Sequence, residues 1–391
     1  MPESLHRRRQ PSPVEMASAL SHEGDVVFLD SALAGDNARS IVASRPLEII
    51  RGSLLQDQGV IRDAIMRHAT TSQPSGGLFG IVRFDGSFVF GVFPQCDVFM
   101  HDQPLGNEQV QNLPQSSLEF RPLMEKGDFV RRVHAAREYI AAGDIYQVNL
   151  SYPWAAVWPS DAMPWAYYER LRAVSPSPFG AFIQLDGETV FSASPECFLK
   201  MNGRRIQTQP IKGTRPRGMD ELSDRGLATE LQASAKERAE LVMITDLERN
   251  DLGQVCEFGS VRVAELLKLE KFAQVHHLVS TVEGTLRADV DHLSAFVACF
   301  PGGSISGAPK KRALEIIAEL EPHERGLYTG AIGYFGFNGE SQFSIAIRTA
   351  WLSKGMIRFH TGAGIVADSI AELEHEETRH KAAGLLAAAR A

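Results

Sequence analysis

The 391-residue sequence has only four cysteines, Cys96, Cys197, Cys256 and Cys299, with no C-x-x-C pair and no zinc-ligand spacing among them. Thiols so scattered fit a reducing, cytoplasmic compartment. No apolar run approaches the ~20 residues that cross a bilayer, and no apolar stretch follows the basic residues of MPESLHRRRQPSPVEM, which argues against a secretory signal. Basic charge is also short: 40 Lys and Arg stand against 48 Asp and Glu, a net charge of −8. A nucleic-acid binder usually shows a basic face, so that class is disfavoured. An anionic small molecule would need local help from a metal ion or an arginine. Internal repeats and low-complexity tracts are missing too.

What is present is an ordinary globular composition, 44% hydrophobic and 23% charged, long enough for a large core. Residues 1–16 read as a mobile tail, 17–117 as a short N-terminal lobe and 118–391 as the catalytic domain. In the lobe, FGIVRF and SFVFGVF form an expected hairpin through Asp85-Gly86. HDQPLGNEQVQNLPQSS (101–117) reads as a connection between lobes. Beyond it, Phe129, Val133, Ala136 and Ile140 predict a helix that stops at Gly143. ELQASAKERAELVMITDLERNDLG predicts one long helix, and PKKRALEIIAELE another with Pro309 in its first turn. GAIGYFGF, FSIAIRTAWL and MIRFHTGAG read as three consecutive strands, and AELEHEETRHKAAGLLAAA as a closing helix. Clustered strands with hairpin-like connections indicate an α+β fold built on antiparallel sheets.

Several clusters carry possible chemistry. Glu237 and Glu240 lie three residues apart in one helical pattern, as do Glu374 and Glu377 in another. That spacing puts each pair on one helix face, and two such faces together would suit a hard cation such as Mg²⁺. The plainer alternative is a solvated face, since Glu377 stands four before Lys381 and Glu376 four before His380. FPGGSISGAPKKR places glycines and serines before a helix start, where free N–H groups attract anions. Gly362 and Gly364 in HTGAGI would let backbone approach a carboxylate, with Arg348 in a neighbouring strand. Glu196 follows a proline in apolar SASPECFL, a setting that raises a carboxyl pKa and suits a general acid, although an edge-strand residue facing water is the plainer reading of composition. VHHLVS sets His276 and His277 on opposite strand faces. QPIKGTRPRG (209–218) crowds Lys212, Arg215 and Arg217 onto a strand end or loop.

Taken in order, SPECF, PIKGTRPRG, KERAELVMITDLERNDLG, VHHLVS, SGAPKKRA, YTGAIGYF, AIRTA, GAGIVADS and ELEHEET resemble the chorismate-utilising enzymes over roughly residues 120–391. The resemblance implies two large, mostly antiparallel sheets packed as a sandwich with helices outside. It implies that Glu196 protonates the departing C4 hydroxyl, that His277 is an active-site histidine, and that Glu240 and Glu377, partnered by Glu237 and Glu374, hold Mg²⁺. Ser304, Tyr328, Arg348 and the backbone at Gly362 and Gly364 would hold chorismate. Within that family, anthranilate-forming members typically have alanine at the Lys212 position. Isochorismate- and salicylate-forming members have a water-activating lysine at the position of Gln147. The pairing of Lys212 with Gln147 resembles the aminodeoxychorismate-forming branch, in which chorismate is aminated at C4 on the way to 4-aminobenzoate and folate. A lysine amine attacking C2, later displaced by ammonia at C4, would account for Lys212. A neighbouring Arg215 would help to keep that amine neutral. Anthranilate synthesis, isochorismate- or salicylate-type chemistry and a non-catalytic scaffold are the alternatives. The cysteine contexts PQCDV, PECFL, QVCEF and VACFP contain no G-x-C-x-G nucleophile, so ammonia is expected from solution or from a separate glutamine amidotransferase subunit.

Overall fold

The computed structural model describes residues 10–33, 38–70, 76–101, 118–271 and 275–390. Except for His101, the breaker-rich connection 101–117 lies outside the described residues. The chain opens with α1 (Pro13–Ser21), β1 (Val26–Asp30), β2 (Arg39–Ser44), β3 (Glu48–Ser53), α2 (Gln58–His68), β4 (Gly77–Val82), β5 (Ser87–Phe93) and β6 (Asp97–Met100). Next come β7 (Arg121–Pro122), α3 (Lys126–Ala141), β8 (Gln147–Val157), α4 (Pro164–Val174), β9 (Phe179–Leu185), β10 (Glu188–Ser194), β11 (Cys197–Asn202), β12 (Arg205–Gln209) and β13 (Ile211–Pro216). They are followed by α5 (Glu221–Ala233), α6 (Ala235–Gly253), β14 (Arg262–Lys271), β15 (Val275–Thr285), α7 (His292–Cys299), β16 (Gly307–Ala308) and α8 (Lys310–Leu320). The chain closes with β17 (Ala331–Gly336), β18 (Glu340–Ile345), β19 (Thr349–Ser353), β20 (Met356–Ile365) and α9 (Ala371–Ala388).

These strands build two ten-stranded sheets. One runs β16-β8-β20-β19-β10-β9-β1-β2-β6 with β7 beside β8; the other runs β13-β15-β12-β11-β18-β17-β4-β5-β3 with β14 beside β15. Neighbouring strands pair antiparallel, as in β8 with β20 and β4 with β5. Val27, Ile41, Ala181 and Ile183 of the first sheet pack against Phe79, Ile81, Ile332 and Tyr334 of the second, so the sheets meet face to face. Side chains such as Phe129, Tyr167, Ile316 and Leu385 cover the outer face of the first sheet, and Ile61, Leu252 and Phe296 that of the second. The strands of the N-terminal lobe extend both sheets rather than forming their own. The expected α+β architecture is therefore the observed one.

Strand alternation explains which residues reach the space between the sheets. Along β8, Val148, Leu150, Tyr152, Trp154 and Ala156 join the outer, helix-covered core. Gln147, Asn149 and Ser151 point the other way and are buried without belonging to it. On β20, Phe359, Ala363 and Ile365 face the same outer core, leaving His360, Gly362 and Gly364 on the inner face.

Among the places where the chain changes sheet, two frame the cavity between the sheets. β10 lies in the first sheet and β11 in the second, so the chain crosses at Pro195-Glu196. β18 lies in the second and β19 in the first, so it crosses back at Ala346–Arg348. FSIAIRTAWL is therefore two strands rather than one, broken where Arg348 adopts a left-handed φ of 49°.

Other local expectations change. Residues 1–16 are not all tail, because α1 starts at Pro13, with Ser12 capping Glu15 N at 3.2 Å and Glu15 returning the bond. The long helix expected over 230–253 is two, α5 and α6, divided at Ser234, whose hydroxyl caps Glu237 N at 3.4 Å. Pro309 is the N-cap of α8 rather than a first-turn residue. The segment around Lys212 is an edge strand, β13, with a bulge between Lys212 and Thr214 made by Gly213 at φ 75°. Pro210 and Pro216 are tolerated there because they lie at or just outside the strand ends.

Candidate active site

The space between the sheets opens into a cavity of about 870 Å³. Its walls come from the two sheet crossings, the bulged edge strand, the turn before β16, the inner face of β20 and one face each of α6 and α9. Glu196, Lys212, His277, Ser304, Tyr328, Arg348, Gly362, Gly364, Glu237, Glu240, Glu374 and Glu377 all line it. Gln147 is not among the lining residues but lies directly behind them, its Nε2 3.2 Å from where a Cβ on Gly364 would be.

Glu196 is 5% exposed, not an edge-strand residue facing water. Burial pushes its carboxyl up, against the opposing pull of the Ser304 hydroxyl, Lys212 and the Ile211 amide. Ser304 sits in the tight turn Gly303–Ile305 and is also buried. Lys212 projects from the bulge, and its Nζ would lie 3.6 Å from a Cβ on Gly364. It stands in electrostatic reach of Glu196, Glu240 and Glu377. Arg215 itself is paired with Glu230 at 2.8 Å and Glu237 at 3.8 Å.

The amide of Gln147 is fully buried, and neither its Oε1 nor its Nε2 has a hydrogen-bond partner among the described residues. His277 is 2% exposed; its Nδ1 lies 2.9 Å from Thr214 Oγ1 and 3.4 Å from the Gly213 carbonyl. Burial and the nearby Arg348 lower its pKa to about 4, so the ring is neutral at neutral pH. His276 faces away and meets Asp224 at 2.9 Å, as opposite strand facing requires. Tyr328 is stacked on His360 with centroids 5.4 Å apart, and burial raises its phenol. Arg348 has its pKa lowered by burial alone, and no side-chain partner engages its guanidinium among the described residues. An uncompensated cation facing a cavity is a receptor for an anion.

The carboxylate pairs sit as the spacing predicted, Glu237 and Glu240 on α6 and Glu374 and Glu377 on α9. Burial pushes up Glu240 and Glu374, and Glu377 adds to both. Burial would raise Glu377 as well, but Lys381, Lys212 and Lys236 hold it below its usual value. Among the described residues no three His, Cys, Asp or Glu side chains gather closely enough to hold a metal ion. Lys236 lies 4.0 Å from Glu240 and 3.8 Å from Glu374, so one ammonium already bridges the two helices. Carboxylate oxygens are the kind of donor that a hard divalent ion takes.

Three participants escaped the sequence reading. Lys381, taken for a solvated partner of Glu377, bonds Glu377 at 2.7 Å and also donates to the Gly362 carbonyl at 3.0 Å. Its place seven residues after Glu374 and four after Glu377 was the available signal. Asn149, two residues from Gln147, shares the inner face of β8 and donates to Tyr328 Oη at 3.5 Å. His360 lies one inner-face step before Gly362, and burial lowers its pKa to about 3.

The chorismate binding enzyme family model matches residues 95–387. Anthranilate synthase component 1 of Thermus thermophilus is 48% identical over 260 residues, covering 66% of this chain and 56% of the relative. Aminodeoxychorismate synthase component 1 of Bacillus subtilis is 44% identical over 272 residues, covering 69% and 57%. The matches thus span just over half the length of these curated relatives. The crystal structure of anthranilate synthase component I from Streptococcus pneumoniae superposes with a TM-score of 0.78 at 28% identity, over 98% of this chain and 95% of that one. The menaquinone-specific isochorismate synthase of Escherichia coli shares the fold, with a TM-score of 0.78 at 20% identity over 98% and 92%. The chain belongs to the chorismate binding enzymes.

Proposed function

We propose that this chorismate binding enzyme exchanges the C4 hydroxyl of chorismate for an amino group, giving 4-amino-4-deoxychorismate and water. One observation carries the reading. Lys212 Nζ and the Gln147 amide converge on the bare inner face of Gly364, 3.6 Å and 3.2 Å from where a Cβ would be. The cavity thus offers a nitrogen nucleophile beside a neutral amide. An amide does not activate water as a base would, so hydration to isochorismate is disfavoured.

In this mechanism Arg348 receives a substrate carboxylate, with Tyr328, Ser304 and the glycine backbone of β20 around the enolpyruvyl arm. Mg²⁺, held by Glu240 and Glu377 with Glu237 and Glu374 beside them, would supply charge neutralisation for the ring carboxylate. The Lys212 amine attacks C2 as the free base, the ring double bonds shift, and the C4–O bond breaks. Glu196 gives its proton to the departing oxygen, which leaves as water. Ammonia then attacks C4, the double bonds shift back, and the C2–N bond breaks to release Lys212. The proton brought by ammonia restores Glu196. His277, neutral in its buried setting, shapes the wall without adding a charge. Ammonia would be delivered by a separate glutamine amidotransferase subunit.

The 48% identity to an anthranilate synthase component favours a second reading, in which amination occurs at C2 and Lys212 is a spectator. Incubation with chorismate, Mg²⁺ and ammonium separates the two. Direct appearance of anthranilate fluorescence overturns the C4 reading. Formation of 4-aminobenzoate only after addition of the lyase supports it. Intact mass without ammonia should rise for wild type and not for Lys212→Ala; equal masses would remove the covalent step.

A further inference from the structure

Glu248 lies on α6, two turns beyond Glu240, and has no part in the mechanism above. It is 3% exposed. Its Oε1 accepts the Gly303 amide at 3.1 Å, while its Oε2 is buried with no partner among the described residues. Gly303 opens the turn that carries Ser304, and the Ser304 hydroxyl bonds the Glu196 carboxyl. One short turn is thus held by one carboxyl group at Gly303 and holds another at Ser304. The fit is close, since a Cβ on Gly303 would come within 3.1 Å of Glu248 Oε1 and 2.6 Å of Leu247 Cδ2.

We propose that Glu248 is a positioning residue for Glu196, acting through the Gly303–Ser304 turn and through its own charge. The inference rests on the reading of Glu196 as the general acid. Glu248 and Glu196 are within Coulombic reach, so ionisation of one opposes ionisation of the other. Burial, then Asp251, push Glu248 up to about 7, against Lys310. The groups around it are Asp251 on its own helix, Lys310 at the start of α8, Cys299 at the end of α7, and Glu196 at the sheet crossing. Lys310 is engaged by Asp251 at 2.5 Å and by the Cys299 carbonyl at 2.9 Å, which leaves Oε2 of Glu248 without a donor. Lys212 and Lys381 act on the Glu196 side.

The consequence has a sign. As pH rises past neutrality Glu248 becomes an anion, and its charge makes Glu196 hold its proton to higher pH. The acid stays competent where an isolated carboxyl would be spent. Glu248→Gln keeps an acceptor for the Gly303 amide and removes the charge.

The test is the ratio of variant to wild-type kcat across pH, in which the ionisation of ammonia cancels. For Glu248→Gln the ratio should stay near one at about pH 6 and fall about fivefold by about pH 8.5, with little change in KM for chorismate. A flat ratio, at one or uniformly reduced, overturns the inference, because a merely structural role would not move with pH. Glu196→Gln is the control: inactive with a flat ratio, it condemns this inference alone. If it is active, the reading of Glu196 fails first. Wild type provides an independent measurement should the variant not fold. Its infrared carboxylic-acid band should diminish with a midpoint near 7, and a band unchanged through that range overturns the proposal.

Discussion

The backbone amide of Ile345 donates to the Glu196 carbonyl at 3.1 Å, joining the β10–β11 and β18–β19 crossings between the sheets. Ala193 N donates to the Arg348 carbonyl at 3.1 Å beside it. Ser194 pins both: its hydroxyl donates to the Ile345 carbonyl at 2.6 Å and accepts from Glu196 N at 3.3 Å. The proposed acid and the proposed anion receptor are thus placed by one backbone junction. Ser194→Ala should cost about 1–3 kcal/mol, by leaving buried groups unsatisfied. It should also lower kcat, because the Glu196 carboxyl is no longer held in place. Thermal melts and steady-state kinetics check both effects.

Arg348 makes a contrary pair of expectations. Its guanidinium has no carboxylate partner among the described residues, so removing the charge relieves the free enzyme. Arg348→Met should leave the melting temperature unchanged or higher. The KM for chorismate should rise at least about tenfold with the loss of a charge-assisted contact. A lowered melting temperature with an unchanged KM would reverse the assignment.

The two glycines of β20 should differ on substitution. A Cβ at Gly362 would come 2.6 Å from the Leu150 carbonyl and 2.7 Å from Tyr328 Oη. Gly362→Ala should therefore destabilise the fold by about 1–3 kcal/mol. At Gly364 the nearest atoms are movable side-chain ends, Gln147 at 3.2 Å and Lys212 at 3.6 Å. Gly364→Ala should fold normally yet lose C4 amination, read by a melt and by product analysis.

His277 predicts a pH effect on stability. Its folded pKa is about 4, below the ordinary 6.5, through burial and then Arg348. On acidification the unfolded chain takes up a proton near 6.5 that the folded ring refuses, so stability falls from about pH 6.5 to about pH 4 and no further. The 2.5-unit difference corresponds to at most about 3 kcal/mol. Glu248, raised to about 7, has the opposite slope between its ordinary 4.5 and 7, so the net profile is mixed. The informative quantity is the difference between wild type and His277→Asn in denaturant titrations. The variant should lose less stability over that window; parallel profiles would show that His277 is not held neutral.

Much of this was legible in local pattern. The β4–β5 hairpin, the α3 helix and both glutamate pairs follow from periodicity and turn residues, and the structure has them. Lys212 was read as strand end or loop because prolines and glycine surround it, whereas a single left-handed Gly213 lets an edge strand continue around a bulge. FSIAIRTAWL read as one strand because hydrophobic alternation does not register a change of partner sheet.

The sequence by itself determined most of the elements, the order of the motifs and the kinds of side chain available, since these rest on periods of two and 3.6 residues and on local turn chemistry. Only the tertiary structure decided that Pro195-Glu196 and Ala346–Arg348 are crossings between sheets. It alone decided that Lys381 reaches the Gly362 carbonyl and that Glu248 stands behind the Ser304 turn. Those relations depend on which strands pair across long stretches of chain, and the energy that selects the pairing is burial summed over both sheets, which no short window of residues contains.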